Sequence, residues 1–162
     1  MRTRVAIAAA AVVGVGVAGV GGIFAAAASG NSKDAAEHGV EVTTDPTGAQ
    51  EQVYLLGPLT GVPSAKQISD TQDEWTFTDG TLIVEHTVKH ENDTFDPNAC
   101  TARLDETGTW HVVSGTGAYA HTQGHGTYVF RGHGSSAPGT CGPSTQPTSF
   151  LGIVVADGQM SV

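Results

Sequence analysis

Apolar and polar side chains alternate without a break through residues 81–91. Leu82, Val84, His86, Val88 and His90 take one set of positions, and Ile83, Glu85, Thr87, Lys89 and Glu91 the other. A period of two is the mark of a strand with one buried face, and it places the first set toward the interior. Asp79-Gly80 just upstream is a two-residue hairpin signal, which makes residues 73–78 the partner strand. Shorter runs continue the theme. Val53-Tyr54-Leu55-Leu56 is broken by Gly57-Pro58 and Gly61-Val62-Pro63; residues 99–105 follow the turn chemistry of Asn92-Asp93 and Asp96-Pro97-Asn98. Glu106-Thr107-Gly108 reads as a turn into a strand around Trp110, and residues 125–132 and 148–157 close the series, with a short tail at 159–162. No segment carries a helical period. About seven or eight short strands at roughly ten-residue intervals predict an all-β fold, an antiparallel closed barrel, with a β-sandwich as the alternative.

The richest stretch joins the Trp110 strand to the Tyr128 strand. Trp110, Val112 and Val113 supply strand-forming side chains, and Gly115, Gly117, Gly124 and Gly126 permit positive φ or close backbone approach. Gly115-Thr116-Gly117-Ala118-Tyr119, with Gly124 five residues beyond the tyrosine, resembles the motif of the allene oxide cyclase-like and dirigent-like β-barrels. In that motif Ser114 stands where the families usually have a further glycine. The resemblance covers residues 70–162 in strand order, with residue-by-residue matching over 109–130. It implies a barrel with a lumen, and for the cyclases an isomerase activity that uses a glutamate and a cysteine inside the barrel. Neither these nor the acidic and arginine residues of dirigent cavities match a defined position here.

The N-terminus changes the picture of where the protein works. Arg2 and Arg4 precede an uncharged Ala/Val/Gly run from Val5 to Phe24, and Ala25-Ala26-Ala27-Ala28 offers small residues for cleavage. Residues 1–28 are therefore expected to be a secretory signal peptide, residues 29–51 a flexible acidic tether, and residues 52–162 the barrel. An uncleaved N-terminal membrane anchor is the alternative, and no stable membrane insertion is expected after cleavage. Without Arg2 and Arg4 the chain has five Lys and Arg against sixteen Asp and Glu, a formal net charge of −11. Such a surface repels phosphate backbones, which excludes nucleic acid as the expected partner. In an exported chain the only two cysteines, Cys100 and Cys141, are expected to form a disulfide.

Candidate chemistry is sparse. His86 and His90 are four residues apart, about 13 Å along a strand, too far to share one ion. His121, His125, His133 and Asp105 around the glycine bend were the other metal candidates, and no metal or cofactor is expected. The Gly-x-Ser-x-Gly elbow and phosphate loops are absent from the sequence. The expected function is that of a secreted barrel holding a small apolar molecule against Leu82, Val84 and Val88, with His86 and His90 as polar handles. Gly115, Gly117, Tyr119, Gly124, Cys100 and Cys141 are the expected structural residues. The alternatives are an isomerase or cyclase using His86, His90 or Glu74 as acid and base, and a cell-surface interaction module with a filled barrel. The sequence leaves the oligomeric state open.

Overall fold

The structure is a computed structural model, and it describes residues 34–46, 51–142 and 145–162. Nine strands form one antiparallel sheet: β1 (Ala35–Thr43), β2 (Glu51–Leu56), β3 (Ser64–Ser69), β4 (Gln72–Phe77), β5 (Gly80–Glu91), β6 (Thr94–Asp96), β7 (Thr101–Gly115), β8 (Gln123–Ser135) and β9 (Ser149–Ser161). Their order across the sheet is β2-β1-β9-β8-β7-β5-β4-β3, with β6 pairing only to β7. The sheet forms an open half-barrel. The closed barrel expected from strand count is not formed, because β2 and β3 share no ladder. Sequence accounts for the open seam. β3 reads Ser-Ala-Lys-Gln-Ile-Ser and is exposed at five of its six positions, so it has no apolar face to draw it onto β2.

Two further expectations are corrected. The segment read as a flexible tether contains β1, which pairs with β2 on one side and β9 on the other, so it is a strand well inside the sheet. The turn expected at Glu106-Thr107-Gly108 is instead continuous ladder, with Gly108 paired to Val88 and to Tyr128. A Cβ at Gly108 would lie 2.5 Å from the Tyr128 ring, so the glycine admits an aromatic side chain leaning over it rather than a reversal of the chain. The β4–β5 hairpin is where the Asp79-Gly80 signal puts it, closing on the pair Phe77 and Gly80. The signal-peptide reading of residues 1–28 lies outside the described residues. Among those described, no helix is long and apolar enough to cross a membrane.

The core lies on the concave face. Val53, Leu55, Leu59, Leu82, Val84, Trp110, Tyr128 and Met160 form one buried cluster. Each such side chain contributes roughly 1.5–3 kcal/mol through removal from water. Glycine fixes the shape of this face at its centre. On one cross-strand row Trp110 pairs with Gly126 and Gly126 with Gly158. A Cβ at Gly126 would meet the Trp110 Nε1 at 2.7 Å, and one at Gly158 the Trp110 Cζ2 at 2.5 Å, so the indole lies flat across both glycines.

The Gly-Thr-Gly-x-Tyr motif has a structural role. Gly117 begins a single 3₁₀ turn, Gly117–Tyr119, at φ +59°, in the left-handed region that favours glycine. Around it Thr116 N–H bonds Thr81 O and Ala118 N–H bonds Asp79 O, tying the β7–β8 connection to the β4–β5 hairpin. Tyr119 then sets its ring 4.6 Å from that of Phe77. Leu82 is completely buried beneath this plug. The Cys100–Cys141 disulfide is present, with Cα atoms 5.5 Å apart, and it tethers the long β8–β9 connection to the residue before β7.

Candidate functional site

The half-barrel encloses a cavity of about 570 Å³ on its concave face. One wall is apolar. Val53 and Leu55 from β2, Trp75 from β4, Val84 from β5, Phe130 from β8 and Val154, Ala156 and Met160 from β9 all line it. The polar lining is unevenly distributed and mostly acidic. Glu37 and Glu41 come from β1, Glu51 from β2, Asp73 from β4, His86 from β5, Glu106 from β7 and Tyr128 from β8.

These groups form a connected set. His86 Nδ1 lies 3.5 Å from Asp73 Oδ2, and both side chains are about three-quarters buried. The Asp73 contact raises the imidazole above its ordinary range, Glu106 and Glu41 add to the effect, and burial opposes it. Tyr128 donates its hydroxyl hydrogen to Glu106, and its ring stands edge-on to His86 with centroids 5.9 Å apart. Burial, followed by this bond to a carboxylate, pushes the phenol well above its usual value. On the facing wall, burial raises Glu41 to about 8, with Glu51 and Asp73 adding repulsion. Burial also raises Glu51 to about 7, with a further contribution from Asp73. Carboxylates from four strands thus converge on one space around a single histidine.

Two further polar atoms are unusual. Glu37 is 2% exposed, and its Oε2 accepts the Leu59 N–H at 2.9 Å while its Oε1 has no partner. Trp110 is 7% exposed, and its indole Nε1 has no acceptor. Both residues line the cavity.

No family model, curated protein or solved structure matches the chain. The residues singled out from sequence are divided by the fold. Val84 and His86 line the cavity. Leu82 belongs to the buried core beneath the Tyr119 plug and is not in the lining. Val88 is 42% exposed, near the end of β5 where the concave face runs out into solvent. His90 is corrected outright. A register shift between Val88 and His90 leaves Lys89 without a partner, so Val88 pairs with Gly108 while His90 pairs with Thr107. One extra residue reverses the face on which every later side chain lies, and His90 is exposed.

Other candidates also separate. Glu74 sits on β4 next to Asp73 and therefore projects from the opposite face of the sheet. Glu85, likewise outside, accepts a bond from Gln72 Nε2 at 2.6 Å. Among the described residues, no three His, Cys, Asp or Glu side chains are placed to hold a metal ion. Sequence reasoning missed Glu37, Glu41, Glu51, Asp73 and Glu106. For Glu37 and Glu41 the signal was present in Glu37-His38-Gly39-Val40-Glu41-Val42-Thr43, which alternates at strand period. The alternation is inverted: Glu37 is buried and Glu41 half-buried in the cavity lining, whereas Val40 is 37% exposed.

Proposed function

We propose that the protein is an exported binding protein that holds a small, largely apolar organic molecule on the concave face of its half-barrel. One observation carries this reading: a cavity of about 570 Å³, large enough for such a molecule, is left unfilled by side chains although Val53, Val84, Phe130, Val154 and Met160 line it. A filled interaction module would close this space. The Gly115-Thr116-Gly117-x-Tyr119 motif and the all-β sheet support kinship with the allene oxide cyclase-like and dirigent-like barrels. The apolar N-terminal run and the disulfide support export.

A second reading rests on the Asp73–His86 contact at 3.5 Å beside the Tyr128–Glu106 bond. A histidine held by a carboxylate within a cavity is a fit group for proton transfer, so an isomerase or cyclase would use His86 as acid and base. His90 and Glu74 have no part in it.

The test is occupancy of the cavity. Protein isolated from its growth medium, analysed by native mass spectrometry, should carry a co-purifying small molecule, or take up the neutral fluorescent dye N-phenyl-1-naphthylamine after extraction. Ala156→Phe, which fills the lining at a cavity position, should abolish uptake while the melting temperature stays close to that of the parent. Dye uptake undiminished in this variant would place binding elsewhere and end the reading.

A further inference from the structure

Apolar and polar groups of the lining sit side by side on the same strands, Asp73 with Trp75 and His86 with Val84, and an occupant must meet both at once. Glu41 and Glu51 sit on neighbouring strands at diagonal positions, since Glu41 pairs with Val53 and Glu51 with Thr43. Asp73 on β4 acts electrostatically on both of them from the opposite wall, as does His86 on β5. Glu106 on β7 completes the set that faces His86. Among the described residues that line the cavity, His86 is the one basic group against seven Asp and Glu, and it is already engaged by Asp73. Burial first and the neighbouring carboxyls second hold Glu41 and Glu51 toward their neutral forms.

Separately from this cluster, Glu37 Oε1 is an unsatisfied acceptor on a side chain 2% exposed, lining the same cavity. Trp75 Nε1 and Trp110 Nε1 are unpartnered too, and all three atoms sit just behind the cavity surface, where a small shift of the lining around an occupant would expose them.

Resting on the reading of the concave face as a binding cavity, we infer that its occupant is an organic cation. An ammonium group is drawn to the side of the cavity where the fields of Glu41, Glu51 and Asp73 overlap, and an apolar body lies against Trp75, Phe130 and Val154. A bare metal ion is the wrong match. No three ligating side chains among the described residues are placed to surround one, and the aliphatic and aromatic walls cannot replace its hydration shell. An organic cation satisfies both walls, because its carbon skeleton replaces water along the apolar face while its N–H groups answer the carboxylates. An anionic occupant of the same size would add to the repulsion already present.

Proton linkage follows from the geometry. With Glu41 raised to about 8 and Glu51 to about 7, both carry protons in mildly acidic solution. A cation must displace those protons, so its affinity rises with pH across this range while that of a neutral occupant does not.

Three probes of one shape and different charge test this by calorimetry on the full chain: phenethylammonium, phenethyl alcohol and hydrocinnamate. Phenethylammonium should bind about tenfold more tightly than the alcohol, with hydrocinnamate weakest, and its advantage should grow between roughly pH 6 and pH 8.5. In Glu41→Gln and Glu51→Gln the advantage should shrink to about twofold or less while alcohol binding holds, showing that the variants remain folded. Equal binding of alcohol and ammonium, or tighter binding of hydrocinnamate, overturns the cation inference and leaves the binding cavity standing. Failure of all three probes to bind overturns both.

Discussion

Asp73 and His86 stand on adjacent strands, β4 and β5, with Oδ2 and Nδ1 3.5 Å apart, and both line the cavity. The contact raises the imidazole, and burial works against it. A histidine raised in this way stabilises the fold while it is protonated. That stabilisation is fully present below the unfolded value of 6.5 and is lost as pH rises through the folded value. Asp73→Asn should therefore lower the His86 titration midpoint followed by NMR of its ring protons, and should reduce stability more at pH 5 than at pH 9. An unchanged midpoint would show that the contact does not govern the histidine.

Glu41 shifts in the same direction, but here burial penalises the charged form. Its folded value of about 8 lies above the ordinary 4.5, so the folded state binds the proton more tightly and stability falls as pH rises between those values. Glu41→Gln should leave the melting temperature near that of the parent at pH 5 and raise it by roughly 5 °C at pH 9. A variant less stable at pH 9 would mean that the carboxylate is held by a partner.

Gly117 tests the plug. At φ +59° a side chain is strained, and a Cβ there would lie 2.1 Å from Asp79 O. Gly117→Val should cost about 2 kcal/mol or more. Thr116 Oγ1 accepts the Thr81 N–H at 3.0 Å in an exposed position, so Thr116→Val should cost about 1 kcal/mol or less. Equal losses in thermal unfolding would remove the special role of the glycine.

Gly126 tests the platform under Trp110. Its Cβ would sit 2.1 Å from Asp157 O as well as against the indole, so neither the backbone nor the ring can give way cheaply. Gly126→Ala should destabilise by about 2 kcal/mol or more and shift Trp emission to the red as the indole is displaced toward solvent. Unaltered emission would mean that the ring does not lie where the two glycines place it.

The disulfide closes a loop with a sequence separation of 41. Its removal in Cys100→Ser/Cys141→Ser should cost on the order of 4 kcal/mol in the chain-entropy model. A loss near zero in denaturant titration would show that the β8–β9 connection is held by other contacts.

The sequence by itself determined the strand character of the chain, the β4–β5 hairpin at Asp79-Gly80, the inward parity of Val84 and His86 and the cysteine pairing. Each of these depends on local chemistry: a period of two, a turn dipeptide, or the presence of just two thiols. What only the tertiary structure decided were facts about neighbours. The unpaired Lys89 turned His90 outward, because facing depends on the partner strand's register and not on spacing along the chain. β1 was hidden by the expectation that apolar side chains are the buried ones, whereas its Glu37 is buried at the cavity and its Val40 is exposed. The acidic site draws carboxyls from β1, β2, β4 and β7 and a histidine from β5, and the burial that shifts them arises only when the half-barrel brings these strands around one cavity.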